Sequence, residues 1–294
     1  MTYPIHKEPC YFTAVSDRTP WMHPGLRIIW AMCFIAPVLV IDKLFKKLVM
    51  SHLDGGLLIG LKYAEAVLFF ALFLVMYRQY ARLIEKRQPF ELTYQGALQE
   101  FVKGSAIGGG MVAFIVGLLI MSGCYQVISC TDKFRIVVDY FVKFTMGAFF
   151  EEILFRLIIF RLTEEWLGSV WAIVIQSMLF GLAHLANENA TLFTSLTIMI
   201  VGGITYTAAF IYTHRAWLAV GIHMGWNYFQ SGIFGMPNSG SAYKGVFLPQ
   251  ISGPEWLTGG AFGIEASIPA VSLNLLVGIV LLYLAAQRGH FLTR

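Results

Sequence analysis

Three short stretches of this 294-residue sequence carry polar groups of the kinds that do chemistry, each in otherwise apolar surroundings. Glu151 and Glu152 stand side by side in KFTMGAFFEEILFRLIIFRL, with Arg156 four residues after Glu152. His184 follows Phe180 by four residues in SMLFGLAHLANENA, and His223 and Asn227, again four apart, lie in GIHMGWNYF. Residues four apart share a helix face, so Glu152 and Arg156 can pair while Glu151 is turned about 100° away, and His223 and Asn227 project together. A carboxylate and a histidine can take a proton from water and direct it at a carbonyl, while a second histidine and an amide donate hydrogen bonds to the developing oxyanion. No G-x-S-x-G elbow, no cysteine with a neighbouring base and no H-E-x-x-H motif occurs, so water activated by glutamate is the most economical mechanism. The same groups allow plainer readings: an ion-pair network that holds helices together, a proton or cation path, and, for a lone histidine, a hydrogen-bonded core residue.

The elements that position these groups are long apolar runs. Of the residues 57% are hydrophobic and 13% charged, against about a quarter charged in soluble domains, which excludes a soluble fold. The runs have the roughly 17–25 residues that a helix needs to cross about 30 Å of hydrocarbon, so they read as spanning helices and not strands. The expected fold is all-α, a polytopic membrane bundle of about eight transmembrane helices near 26–45, 57–80, 104–124, 137–161, 169–187, 193–213, 216–232 and 268–286. It forms a single transmembrane domain over 1–294, with the motif core at about 137–235. An acidic residue at the centre of such a helix costs on the order of 2.5–3.5 kcal/mol on insertion scales, so Glu151 and Glu152 demand compensation.

The charged segment 78–103 reads as an interfacial amphipathic connection or a solvated loop, and its Arg78, Arg82, Lys86, Arg87 and Lys103 place it on the cytoplasmic side. Residues 233–267, rich in Gly, Pro and Ser, read as a partly ordered lid or a plain surface connection. The formal charge of +4 is spread in short groups between apolar runs, with no basic face for nucleic acid. The polar N-terminal stretch lacks the pattern of a cleavable signal peptide, so the first helix is expected to persist. Cys10, Cys33, Cys124 and Cys130 have no C-x-x-C or zinc spacing; Cys124 and Cys130 flank a connection that a disulfide could close, but unpaired packing is the expected state. Glu65 and Asp139 are explained by solvation near span ends, His214 with Arg215 by a turn, and Trp217, Trp226 and Tyr228 by interface anchoring or packing. Glu188, close to His184, is the outlier that could touch a substrate.

Together the three stretches resemble the motifs E-E-x-x-x-R, F-x-x-x-H and H-x-x-x-N/D of the CAAX protease and bacteriocin-processing (CPBP or ABI) family of intramembrane proteases, in the family order. They read here Glu151-Glu152-x-x-x-Arg156, Phe180-x-x-x-His184 and His223-x-x-x-Asn227. The likeness covers roughly 140–235 and includes the glycine-rich approach to the third motif. The resemblance implies an eight-helix fold and peptide-bond hydrolysis, with Glu151 and His184 activating water, His223 and Asn227 forming the oxyanion site, and Glu152 and Arg156 as structural support. It implies a protein or peptide substrate at the lipid bilayer, prenylated or of bacteriocin type, and leaves the oligomeric state open; the short connections and the lack of an evident eukaryotic targeting or retention signal suggest a multi-pass protein of a bacterial inner membrane. No cofactor is expected, because Arg156 occupies one glutamate of the pair; were the enzyme metal-dependent, Glu151, His184 and His223 would be the zinc ligands. Two alternatives stay open: a catalytically silent scaffold or immunity protein that binds partners through small-residue faces such as Gly108-Gly109-Gly110 or Gly202-Gly203, and a proton-coupled transporter.

Overall fold

The structure, a computed structural model, describes residues 23–52, 55–132 and 134–294. Cys10 and the polar N-terminal stretch lie outside the described residues. The chain divides into two compact units that meet between Phe90 and Glu91. The first holds helices α1 (Pro24–Leu48) and α2 (Gly55–Leu83), which pack on each other. Within it Arg27 bonds Glu85 at 3.3 Å, and Glu85 also accepts from Tyr80 at 3.0 Å and from Arg87 at 2.7 Å. Glu65 is buried and paired with Lys46 at 3.1 Å, so an ion pair, not span-end solvation, accounts for it.

The second unit begins α3 (Ala97–Met121), β1 (Tyr125–Cys130) and α4 (Phe134–Glu152), which runs on through π-helical turns at Ile153–Phe160 into α5 (Arg161–Leu167). Next come α6 (Ser169–Ala183) and α7 (Leu192–Ile198), the latter joined through π turns at Met199–Ile204 to α8 (Thr205–Thr213). Then follow α9 (Ala216–Asn227) with π turns at Tyr228–Ile233, β2 (Phe247–Ile251), the short α10 (Glu255–Thr258) and α11 (Ile268–Gln287). Among the described residues, six helices are long and apolar enough to cross a membrane: Pro24–His52, Leu58–Leu83, Ala97–Met121, Ser169–Ala186, Leu192–Thr213 and Ile268–Gln287. The other two expected spans, 137–161 and 216–232, are helical as well but lie outside that set. They are the helices that hold Glu151, Glu152 and Arg156, and His223 and Asn227.

The fold is all-α apart from one small sheet that the apolar runs do not announce. β1 and β2 pair antiparallel, with Tyr125 opposite Ile251 and Cys130 opposite Phe247. Each lies between helices in a stretch too short to span, where β-branched and aromatic residues favour an extended chain. Residues 233–267 are thus an ordered connection containing β2, α10 and a 3-10 turn at Ile264–Ala266. The sheet also rules on the cysteines: Cys124 immediately precedes β1 and Cys130 ends it, about 20 Å away at strand rise, and both are free.

Close helix packing centres on α9, which contacts α3, α4 and α8. On α3, Gly104 and Gly108 face α9; on α9, Gly221 and Gly225 face α3. A Cβ on any of the four would overlap backbone of the opposing helix, including the carbonyls of Leu218, Ile222, Phe101 and Ser105. These two small-residue pairs let backbones meet where larger side chains would hold them apart. Gly109 packs on Phe229, Gly202 on Phe180 and Gly203 on Ser177, so the glycine faces considered for outside partners are, except at Gly110, filled by the chain itself. Gly108→Val should therefore destabilise the protein by about 1–3 kcal/mol or more, read as a lower melting temperature in detergent, whereas Gly110→Val, which meets nothing within 4 Å, should leave it unchanged.

At the opposite end of the same unit, His214 closes α8 in a left-handed conformation (φ 53°) and stacks on His290 at 4.1 Å. His290 Nδ1 donates to the Ile211 carbonyl at 2.9 Å, and Leu292 exchanges hydrogen bonds with Ser169 through N to Oγ at 2.8 Å and O to N at 2.9 Å. Burial holds His214 down to about 3 from 6.5 and lowers His290 as well, with Arg288 acting in the same direction on His290. Depressed folded-state values stabilise the docked segment above pH 6.5, and the contribution is lost as pH falls from there toward 3. Exchange protection of residues 288–292, corrected for intrinsic rate, should drop over that window. His214→Gln should flatten the dependence.

Candidate active site

The three motif stretches converge in the second unit around one buried carboxylate. Glu152 and Arg156 are fully buried, one turn apart where α4 widens into its π segment. Arg156 Nη1 donates to Glu152 Oε1 at 3.2 Å, its Nε lies 3.1 Å from Oε2, and its Nη2 donates to the Gly202 carbonyl at 2.6 Å. The predicted Glu152–Arg156 pairing is thus present, and the guanidinium also reaches the helix pair α7–α8. Its planar face lies 4.5 Å above the Phe180 ring and 5.4 Å from that of Tyr206, a cation–π arrangement in a desolvated site.

Glu152 has a second partner that the spacing alone did not indicate: His223 Nδ1 lies 2.8 Å from Oε1. A carboxylate only accepts, so Nδ1 carries the proton and donates, which turns the other nitrogen, Nε2, toward Glu151 Oε2 at 3.8 Å. Tyr206 stacks on the His223 ring at 4.6 Å and 17°, fixing its plane. Glu151, turned away from Arg156 as its helix position requires, keeps about 30% of its side chain exposed, while its Oε2 is buried and makes no hydrogen bond among the described residues.

His184 sits at the end of α6, where the helix tightens into a 3-10 turn, and is half-buried. Its Nδ1 donates to the Phe180 carbonyl at 2.7 Å, so Nε2 bears the lone pair. Phe180 is the hub between motifs: its ring centroid is 4.8 Å from His184, 6.4 Å from His223 and 4.9 Å from Phe155. No hydrogen bond or ion pair joins His184 to Glu151 among the described residues. Asn227, half-buried one turn beyond His223, accepts at Oδ1 from Asn238 Nδ2 at 2.9 Å. Glu188 is exposed and contributes only backbone, against Gly240.

Tyr206, the Gly202 carbonyl and Asn238 belong to the site but are absent from the motif reading. Tyr206 falls in the glycine-rich stretch before the third motif, a visible signal without a spacing rule to assign it. Asn238 lies eleven residues past Asn227 in a segment whose path no helical periodicity encodes. As to zinc, no group of three or more His, Cys, Asp or Glu side chains among the described residues is arranged to hold a metal ion, and the Nδ1 of His223 is committed to Glu152.

Because Arg156 is the arginine paired with Glu152 and both are fully buried, removing it strands a charge. Arg156→Met should cost about 3–5 kcal/mol, while the double variant Arg156→Met with Glu152→Met should recover much of that. Thermal unfolding in detergent distinguishes the two.

Residues 133–229 match the family model described as Type II CAAX prenyl endopeptidase Rce1-like, and this stretch contains every motif residue from Glu151 to Asn227. No curated protein and no solved structure matches the chain. Over this third of its length the chain is similar to the Rce1-like type II CAAX prenyl endopeptidases, a protease family that fits the CAAX protease resemblance of its motifs, and its six apolar helices are those of an integral membrane protein.

Proposed function

We propose that the protein is an intramembrane endopeptidase that cleaves a peptide bond of a membrane-associated substrate with glutamate-activated water. Glu151 and His184 Nε2 take the proton from the water that attacks the scissile carbonyl. His223, in the imidazolium form in which Nδ1 donates to Glu152 and Nε2 also carries a proton, and the Asn227 amide hold the oxyanion of the tetrahedral intermediate, and the proton taken from water then passes to the leaving amine as the C–N bond breaks. Glu152 and Arg156 are supports, the former fixing the His223 ring through Nδ1.

The observation that carries this reading is the 3.8 Å separation of Glu151 Oε2 and His223 Nε2, with the remaining His223 nitrogen already taken by Glu152. A base and an electrophilic donor at that spacing can both reach one water or carbonyl oxygen at hydrogen-bond distance. The partly exposed Glu151 beside a fully buried Glu152 divides the pair into a group that can meet substrate and a group that cannot. The family likeness supports a substrate of the CAAX prenyl type; a bacteriocin-type peptide in a bacterial inner membrane is the other class in this reading. Glu151 acts here directly on water, without a metal.

The test is proteolysis by the purified protein in liposomes on a library of membrane-anchored peptides, prenylated and plain. Glu151→Ala should reduce kcat at least about 100-fold, in the range of lost general-base catalysis, with its melting temperature unchanged and with a strong chelator having no effect on wild type. Chelator-sensitive cleavage would replace the mechanism by a metal-dependent one. Undiminished cleavage or biological activity in Glu151→Ala would favour a silent scaffold.

A further inference from the structure

The segment between the third motif and α11 packs Phe262 and Ala266 into one apolar cluster with Phe180, and through Asn238 it hydrogen-bonds a motif residue directly. We propose that Asn238 is a positioning residue that sets the orientation of the Asn227 carboxamide, an inference that rests on the oxyanion role given to Asn227 above. A carboxamide has two faces of opposite character, and only its NH2 can stabilise an oxyanion. Rotation by 180° exchanges them with nearly the same shape, so a partner is needed that accepts one face and rejects the other. Asn238 supplies it: its Nδ2 donates to Asn227 Oδ1 at 2.9 Å, which leaves Asn227 Nδ2 turned away from Asn238.

Asn238 can discriminate only if its place in the chain is fixed, and the turn that it opens anchors its backbone. The residue is 6% exposed. Asn238 and Ser241 exchange backbone hydrogen bonds at 2.9 and 3.0 Å across Ser239 (φ 47°) and Gly240 (φ 89°), the left-handed pair of a two-residue I′-type turn. A side chain at Gly240 would overlap the Glu188 carbonyl, so glycine is required there for space as well as for φ.

The turn is tied down on three sides. Asn187 donates to the Ser239 carbonyl at 3.0 Å and Asn189 to that of Gly240 at 2.9 Å, linking it to the loop that follows His184. Gly240 N donates to the Phe262 carbonyl at 2.8 Å. Ser239 N donates to Glu265 Oε1 at 2.9 Å, and the other oxygen of that buried carboxyl accepts from Gln230 at 2.6 Å, one turn beyond Asn227 on the same helix. The turn is therefore referenced both to the His184 loop and to the helix that carries His223 and Asn227, so its position carries the relative placement of the second and third motifs to the Asn227 amide.

Asn238→Asp keeps the shape but presents an acceptor, which favours the flipped Asn227 amide. It should lower kcat by about 10–100-fold, a fraction of the 10²–10³ of a lost oxyanion donor, with KM and melting temperature changed by little; Asn238→Ala should fall between it and wild type. In an Asn227→Ala background neither substitution should lower kcat further. Wild-type kcat in Asn238→Asp, or losses that multiply with Asn227→Ala, would overturn the proposal. If Asn227→Ala itself leaves kcat intact, the oxyanion reading fails and the role of Asn238 with it. A readout independent of turnover is the NMR side-chain carbonyl shift of Asn227, selectively labelled: it should move in Asn238→Ala, and an unmoved resonance overturns the hydrogen bond on which the inference stands, whatever the enzyme cleaves.

Discussion

A carboxylate with no exposed surface must find its partners inside the protein, and Glu152 finds donors on two helical segments, one of which is tied in turn to a third. Arg156 comes from its own helix, His223 from α9, and Arg156 is in turn held by the Gly202 carbonyl of the α7–α8 pair. Each contact is individually ordinary, but a buried charge that loses a partner is penalised by several kcal/mol, so the arrangement resists displacement of any one segment. Orientation of the reactive groups follows from it. His223 presents Nε2 to Glu151 because Nδ1 is committed to Glu152, and Glu151 stays available because Arg156 has its full engagement with the neighbouring residue.

The helices must approach closely for such short side chains to meet, and this is where the glycines act. With Gly104 and Gly108 against Gly221 and Gly225, α9 lies backbone to backbone on α3. Its residues from Ala216 to Trp226 are all buried. The π turns stand at related places: one follows Glu152 directly, one contains Gly202, and one follows Asn227. Such turns insert an extra residue into a helix and shift the face that follows, and they recur at functional sites. Here they let side chains before and after the turn be aimed separately, as with Glu152 before and Arg156 within the first.

Periodicity four made the chemistry legible, because Glu152 with Arg156 and His223 with Asn227 needed only a helix to be placed. The convergence of His223 on Glu152 was not legible, since it is a contact between helices 71 residues apart in sequence that depends on backbone approach and not on local pattern. The long apolar runs likewise announced the spanning helices, while the short sheet of Tyr125–Cys130 and Phe247–Ile251 was missed because its strands are long-range partners embedded in connections. Asn238 was hidden for the same reason: a tight turn can be guessed from Asn-Ser-Gly-Ser, but not the residue it will touch.

The two expected spans that fall outside the six apolar ones show why hydropathy is weakest at the motif residues. A helix needs an apolar exterior only where it meets lipid, and α9 meets α3, α4 and α8 instead. Its His223 and Asn227 are accommodated by neighbours that supply hydrogen bonds, as are Glu152 and Arg156 on the other polar helix. Once a helix is surrounded by protein, the selection for lipid-like composition is relaxed and polar groups can accumulate there. The outer helices, whose exposed faces carry residues such as Phe114, Val170, Leu276 and Ile279, retain it. Enclosure thus accounts for the polar groups of α9 and of the buried turn from Glu152 to Phe160, whereas the first half of α4 keeps exposed apolar residues such as Phe134 and Phe141.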